Sequence, residues 1–138
     1  IIHETDLANN FGMYYKKYKT KLSKYMQTAI AKGNKHSAKE YAEAIDFKKR
    51  SYESYQEVFE DYHGVLTPSS PGVALKGLKN TGTAEFNKVW SYLGTPCISL
   101  PLLEGENNLP LGIQLIGDRY DDHRFLGVAN WLEKECNN

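Results

Sequence analysis

Two adjacent serines, Ser69 and Ser70, are the residues whose type and position first suggest a nucleophile. They lie between Pro68 and Pro71, with no glycine-rich elbow and no Lys or His that the sequence places beside them. A serine hydroxyl is a weak nucleophile unless a neighbouring base takes its proton. The pattern therefore favours serines of a turn over catalytic serines.

Thiol and imidazole groups give no stronger signal. Cys97 lies inside an apolar run, which predicts a buried, inert thiol, and neither it nor Cys136 belongs to a ligand set or disulfide framework. The four histidines are scattered along the chain: His3, His36, His63 and His123. None has zinc-ligand spacing, and no glycine-rich phosphate loop is present. We expect surface histidines, no metal, no cofactor, and a reducing compartment, the cytoplasm.

Lysines alternate with tyrosines near the amino end, as in surfaces that stack nucleic-acid bases on aromatic rings. The residues are Lys16, Lys17, Lys19, Lys21 and Lys24, with Tyr14, Tyr15 and Tyr18. On a helix the tyrosines fall largely on the apolar face, which favours a solvated lysine face. The whole chain has 17 Lys+Arg and 17 Asp+Glu. Zero net charge removes a general attraction to nucleic acid or membrane, and we expect neither as a partner.

The elements that carry these residues change character near Gly64. Residues 1–63 predict two long helices, over about 5–32 and 37–62, that form a helical hairpin. Side chains at helical spacing support the first: Leu7, Phe11, Tyr14, Tyr18, Leu22, Tyr25 and Ala29. Ser37 followed by Glu40 is a capping-box pattern for the second.

Residues 64–138 contain all five prolines and predict a strand-helix-strand-strand-helix segment. We expect strands near 65–67, 97–103 and 111–116, a short helix within 85–92, and a last helix from about 121. No flexible linker separates this segment from the helices, so residues 1–138 are interpreted as one partial α/β domain. Hydrophobic residues make up 41% and charged residues 25%, as in globular proteins, and no apolar run is long enough to span a bilayer.

The order of several motifs resembles the carboxyl-terminal part of the amidase signature family. The motifs are Val65–Pro71, Thr81-Gly82, Phe86–Pro101 and Leu109–Gly117, with Asp121-Asp122 leading into the final helix. The resemblance covers essentially the whole chain. It implies part of a larger α/β/α fold, in which a long helical hairpin precedes mixed-sheet strands and a terminal helix. Since the chain begins at Ile1 rather than Met, we expect it to be a piece of a longer protein.

The resemblance also implies a chemistry. Enzymes of this family hydrolyse amides through an acyl-enzyme, using a nucleophilic Ser, a bridging Ser and a Lys. The Gly-Ser-Ser-Gly-Gly stretch and the Lys belong upstream, and Ser69-Ser70 does not match that stretch, so no catalytic residue is assigned to this chain. The stretch equivalent to Phe86–Trp90 lies near the substrate in the family, which makes Phe86, Val89 and Trp90 candidate substrate-binding residues. Packing of Phe86 and Trp90 under the strands is the alternative for those two.

Three functions follow from these observations. The first is the carboxyl-terminal portion of an amidase acting on a small carboxamide, inactive without its missing amino-terminal catalytic portion and prone to self-association. The second is part of a glutamyl/aspartyl-tRNA amidotransferase A-type subunit. Those subunits typically have Asn-Leu-Ala-Gly where this chain has Ser91-Tyr92-Leu93-Gly94, which favours the first. The third is a non-catalytic interaction module, in which the tyrosine-rich hairpin binds a partner.

Overall fold

The computed structural model describes residues 1–136 of the 138-residue chain. It divides into two compact units, one over Ile1–Arg50 and one from Ser51 onward. The first unit is helical and the second contains a sheet. Within residues 1–136, none of the helices combines the length and the apolar character that crossing a bilayer demands.

The first unit contains three helical segments and the start of a fourth. They are α1 (Ile2–Tyr18), a 3-10 turn (Lys19–Lys21), α2 (Lys24–Gly33) and the first part of α3 (Ala38–Gln56). The prediction of one helix over residues 5–32 is therefore wrong. Leu22 is extended (φ −82°, ψ 147°), and the Ser23 hydroxyl accepts a hydrogen bond from the Met26 N–H at 3.2 Å. An N-cap serine satisfies a free amide of a new helix, and here it overrides the apolar rhythm.

The second predicted helix, over residues 37–62, is also interrupted. α3 ends at Gln56, and a short helix, α4 (Val58–Asp61), follows Glu57. α4 carries the buried Phe59, whose ring packs edge-on against that of Tyr55 with 5.4 Å between the ring centroids. Burial of Phe59 thus accompanies the interruption of the helix. The predicted capping box is confirmed: Glu40 N–H donates to the Ser37 hydroxyl, and Ser37 N–H donates to the Glu40 carboxylate at 2.7 Å. That backbone donor lowers the pKa of Glu40.

Three small residues and one isoleucine are buried where α1 packs on α2. The buried residues of these two helices are Ala8, Ala29, Ile30 and Gly33. A Cβ atom on Gly33 would lie 1.9 Å from the backbone oxygen of Glu4, so only glycine permits this approach. The hairpin therefore forms between α1 and α2. The predicted apolar face is largely solvent-exposed, because Phe11, Tyr14, Tyr18 and Tyr25 remain 39–65% exposed.

The second unit is built on a three-stranded antiparallel sheet in the order β1-β3-β2. The strands are β1 (Val65–Pro68), β2 (Cys97–Glu104) and β3 (Pro110–Ile116), which confirms all three predicted strands. The other elements are α5 (Lys88–Leu93), a 3-10 turn (Glu106–Asn108) and α6 (Asp122–Cys136). α5 ends at Gly94, whose φ of +72° is the left-handed conformation that favours glycine.

One face of the sheet packs on the terminal helix. Leu100 of β2 and Leu115 of β3 form a buried cluster with Phe125 and Ala129 of α6. Gly117 follows β3 at a point where a Cβ atom would lie 2.4 Å from the Phe125 ring. Successive residues of a strand point to opposite faces of the sheet. The residue that precedes each of these two leucines in its strand therefore points to the second face.

Candidate functional site

The second face of the sheet carries hydroxyl and amide side chains in one row. Thr67 of β1 and Ser99 of β2 are both cross-strand partners of Gln114 on β3, so the three residues lie side by side. Ser69 continues the row beyond β1, where its N–H donates to the Gly112 carbonyl at 2.9 Å. We call the surface formed by Thr67, Ser69, Ser99 and Gln114 the polar face.

Gln114 is the buried centre of the polar face, with 4% of its surface exposed. Its amide nitrogen lies 2.7 Å from the carbonyl oxygen of Phe86, 2.9 Å from the Thr67 hydroxyl and 3.2 Å from the Pro68 carbonyl. An amide carries two N–H donors, so these three acceptors use its full donor capacity. Gln114 thereby ties the segment before α5 to the end of β1.

Gln114 is not among the predicted site residues, although the sequence contains one signal for it. It is the only strongly polar residue in the apolar run of β3. A lone amide in a buried strand must find partners, because an unpaired buried polar group costs about 1–3 kcal/mol. The identity of those partners depends on residues 28 and 47 positions away.

The two serines beside the proline-bounded turn have different roles. Ser70 donates to the Gly72 carbonyl at 2.6 Å, as expected of a turn serine. The Ser69 hydroxyl instead lies 2.6 Å from the Ser99 hydroxyl, over the site where Gly112 leaves space. In the described residues its hydrogen-bond partner is thus a second serine rather than a Lys or His. Asn87 also binds here, donating to the Ser69 carbonyl at 3.2 Å.

The three predicted substrate-binding residues lie in different surroundings. Phe86 is half-buried and bonded to Gln114 through its backbone, whereas Val89 on α5 keeps 45% of its surface exposed. Trp90 is only 8% exposed and packs with Phe59, Leu93 and Ile116. Its indole N–H is buried without a hydrogen-bond acceptor in the described part of the chain. The segment is therefore fixed at both ends, with Val89 facing outward between them.

A tyrosine and an arginine support the turn after α5. The Tyr52 hydroxyl donates to Asp118 at 2.5 Å, and the Arg119 guanidinium stacks on the Tyr52 ring at 3.6 Å. Arg119 also borders Gly94, since a Cβ there would lie 3.4 Å from its Nη2. Burial, with the bond to Asp118, raises the pKa of Tyr52, so its hydroxyl remains a donor at neutral pH. No motif in the sequence linked these residues.

Cys97 corrects another expectation. The residue is exposed rather than buried, at the first position of β2, which is an edge strand in the described sheet. Partial burial of its sulfur nevertheless raises the pKa of the thiol, which keeps it protonated and weakly nucleophilic at neutral pH. Its sulfur lies 3.6 Å from the Thr95 carbonyl.

The histidines and carboxylates do not converge. Over residues 1–136, no three His, Cys, Asp or Glu side chains lie close enough together to hold a metal ion. His36 is half-buried, not a free surface group, and lies 2.8 Å from the Glu4 carboxylate. That hydrogen bond lowers the pKa of Glu4.

The sequence of this chain matches that of a known protein family. The family model described as Amidase matches residues 4–126. The chain belongs to the amidase family. The matched residues include the helical unit and the polar face, and the match confirms the resemblance found in the motifs at 65–71, 86–101 and 109–117.

The curated relatives of this chain differ in how much of it they match. The A-type subunit of glutamyl-tRNA(Gln) amidotransferase from Alkaliphilus metalliredigens is 35% identical over 102 residues, covering 69% of this chain and 21% of the relative. The A-type subunit of the same amidotransferase from Ehrlichia ruminantium is 28% identical over 143 residues, covering 99% of this chain and 28% of the relative. The chain therefore spans less than a third of the length of these relatives.

Solved amidase-family structures share the fold. A crystal structure of an amidase superposes with a TM-score of 0.80 at 20% identity, covering 96% of this chain and 33% of that one. A 6-aminohexanoate cyclic dimer hydrolase gives a TM-score of 0.71 at 14% identity, with the same coverage. The α/β segment observed here thus corresponds to about one third of an amidase-signature fold.

Proposed function

We propose that this chain is the carboxyl-terminal portion of an amidase that hydrolyses a small carboxamide through an acyl-serine intermediate. The match of the Amidase family model to residues 4–126 supports the chemistry. One observation supports the part of this chain in it: the Phe86–Trp90 segment is anchored by the Gln114 amide at one end and by the buried Trp90 ring at the other. A segment held in this way keeps its outward residue, Val89, in a fixed position. A pocket wall that is already rigid orients a substrate without the loss of conformational entropy that ordering a flexible segment would require.

In this proposal the chain supplies the substrate wall. Phe86 and Val89 contribute apolar surface, and Trp90 supports them from the core. Ligand sites are lined mostly by apolar and aromatic side chains with a few fixed polar groups, and the polar face provides such groups beside Phe86. The nucleophilic Ser, the bridging Ser and the Lys implied by the family resemblance lie upstream. A cytoplasmic location belongs to the same proposal.

Labelling with a serine-directed fluorophosphonate tests where the nucleophile lies. We expect the longer protein from the same reading frame to be labelled at one serine preceding Ile1 and to hydrolyse p-nitroacetanilide. The 138-residue chain should show neither property, because the acyl-enzyme mechanism requires a nucleophile, a base and oxyanion donors together. Stoichiometric labelling of Ser69, Ser70 or Ser91 in the 138-residue chain, with turnover, would overturn the proposal.

A matched pair of variants of the longer protein tests the wall. Val89→Ala should alter the ratio of kcat/KM for p-nitroacetanilide to that for acetamide, because one of the two substrates has a ring to pack. Leu126→Ala on α6 removes a side chain that is similarly exposed, 54% against 45%, and should leave the ratio unchanged. Equal ratios in both variants would place substrate binding elsewhere.

A second candidate is an amidotransferase A-type subunit. It is favoured by the names of the curated relatives, which include A-type subunits of glutamyl-tRNA(Gln) amidotransferase from several bacteria. The departure at Ser91–Gly94 from the Asn-Leu-Ala-Gly pattern favours the first candidate. Glutamine-dependent amidation of misacylated tRNA that appears only when partner subunits are added would decide for the second.

A further inference from the structure

The positive charge of this chain is concentrated in one segment. Residues 7–39 contain eight lysines and no Asp or Glu, although the whole chain has zero net charge. A zero total therefore conceals a local excess on the first unit. Electrostatic attraction to a polyanion depends on such local fields rather than on the total.

The break after α1 gathers part of this charge around aromatic rings. The Lys17 and Lys21 ammonium groups lie 5.3 Å and 5.5 Å from the centroid of the Tyr18 ring, and Lys19 lies 5.1 Å from that of Tyr15. A continuous helix would distribute these lysines around its axis. The 3-10 turn places Lys19 and Lys21 beside the rings instead, next to Lys17 at the end of α1. We call these five residues the lysine–tyrosine surface.

The lysines of this surface are exposed and have no carboxylate partner. Lys17, Lys19 and Lys21 form no ion pair with any residue in the described range 1–136. Two other lysines of the same segment differ, since Lys32 lies 3.6 Å from Glu4 and Lys39 lies 3.8 Å from Glu43. The charge of the lysine–tyrosine surface is thus left for an external anion.

One aromatic ring of this surface is also accessible. Tyr18 is 39% exposed, whereas Tyr15 is half-buried, so Tyr18 is the ring that a ligand can reach. The sequence favoured a solvated lysine face because a helix places the tyrosines largely on its apolar face and because the net charge is zero. In the structure that apolar face is largely exposed. The Tyr18 ring lies beside the Lys17 and Lys21 ammonium groups, where one ligand can contact both the ring and a cation.

We propose that the lysine–tyrosine surface binds single-stranded nucleic acid, an activity separate from amide hydrolysis. Phosphates would contact Lys17, Lys19 and Lys21, and an unpaired base would stack on Tyr18. Single-strand binding proteins combine a basic groove with aromatic rings in this manner. A membrane surface fits less well, because interfacial helices separate an apolar face from a basic one, and here the two are interleaved.

Fluorescence anisotropy with fluorescein-labelled rU12 and dT12 tests the proposal on the 138-residue chain. Three phosphate contacts predict that log K falls with log salt at a slope of about −2 between about 50 and 200 mM NaCl. Tighter binding of rU12 would identify RNA as the ligand, and equal binding would identify any single strand. Absence of saturable binding to both oligonucleotides would overturn the proposal.

Two charge-matched triple variants separate a site from general attraction. Lys17→Gln/Lys19→Gln/Lys21→Gln should weaken binding about tenfold or more at low salt and flatten the salt slope. Lys76→Gln/Lys79→Gln/Lys88→Gln removes the same charge from exposed lysines of the second unit and should change little. Equal losses in both variants would refute a specific surface.

The ring is tested by Tyr18→Phe and Tyr18→Leu. Phenylalanine should preserve affinity, whereas leucine should lower it about fivefold or more, since a base stacks on an aromatic ring and not on an aliphatic chain. Far-UV circular dichroism should show the same helix content in both variants. Equal affinity of the two variants, or stronger binding to phosphatidylserine/phosphatidylcholine vesicles than to rU12, would overturn the assignment.

Discussion

The two units of the chain differ in how closely their elements approach. In the first unit, α1 meets α2 at Gly33, where an added Cβ atom would have no room beside Glu4 and Ala8, and Ile30 of α2 is fully buried. In the second unit the sheet is covered on both faces by large side chains, including Trp90 and Phe125. A close helix pair is sensitive to added volume, and a sheet core to lost volume. The difference yields predictions of opposite kind.

Removing Trp90 should produce the largest effect. Trp90→Ala leaves a cavity among Phe59, Leu93 and Ile116 and should lower the free energy of unfolding by about 3–5 kcal/mol. Urea denaturation followed by circular dichroism measures this. Trp131→Ala is the control, because Trp131 is 60% exposed and should change stability by no more than about 0.5 kcal/mol. Similar values for the two variants would contradict a core role for Trp90.

Adding one carbon atom at Gly33 tests the first unit. Gly33→Ala places a Cβ against the Glu4 backbone and should destabilise by about 1–3 kcal/mol, since backbone cannot rotate away as a side chain can. Gly12→Ala on α1 is the matched control. Nothing lies within 4 Å of its Cβ position, so it should stabilise by about 0.4–1 kcal/mol. Thermal melts in which both variants move in one direction would argue against close packing.

Gln114 joins the core of the second unit to the candidate site, and its replacement should have an intermediate effect. Gln114→Leu leaves the Phe86 and Pro68 carbonyls without their donor and should cost about 1–3 kcal/mol. Hydrogen exchange should accelerate in α5, which follows Phe86. Thr67→Val removes one acceptor but retains the donor and both carbonyls, so it should cost less. Unchanged exchange in α5 would show that Gln114 does not fix the segment.

The same contrast explains what could be predicted from the sequence. The strands of the second unit have local signals, because Pro68, Gly94 and Pro96 limit them and apolar residues fill them. The helix break in the first unit has a local signal too, the capping serine Ser23. Periodicity nevertheless predicts one continuous helix, because apolar residues recur at helical spacing through Leu22. Spacing alone does not show whether a serine within such a series begins a new helix.

The candidate site was less predictable than the fold. The family resemblance implies Phe86, Val89 and Trp90 as substrate-binding residues, and their use as a substrate wall stays a prediction. The residues that hold this segment came only from the structure, because Gln114, Thr67 and Ser99 are brought together by strand register. Register depends on the turn between β2 and β3 and on the crossover from β1, neither of which single-residue patterns specify.

The smallest expected effect is a difference between the two units in the pH at which acid unfolds them. In the first unit the pKa of Glu4 is lowered from 4.5 by the hydrogen bond from His36, and that of Glu40 by the Ser37 amide. A carboxylate with a lowered pKa in the folded state stabilises above pH 4.5, and this contribution is lost as the pH falls through the folded value. The second unit contains both tryptophans, Trp90 and Trp131.

A pH titration from about 6 to about 3 should therefore reduce helix content by circular dichroism before it changes tryptophan fluorescence, since only the second unit reports through tryptophan. Glu4→Gln should move the loss of helix to higher pH, because the bond to His36 then lacks a carboxylate at every pH. Glu43→Gln is the control, as Glu43 is exposed and its partner Lys39 lies 3.8 Å away in an ion pair that water screens. Coincident changes in the two signals would show that acid unfolds both units in one step. The two units would then differ in side-chain packing but not in sensitivity to acid.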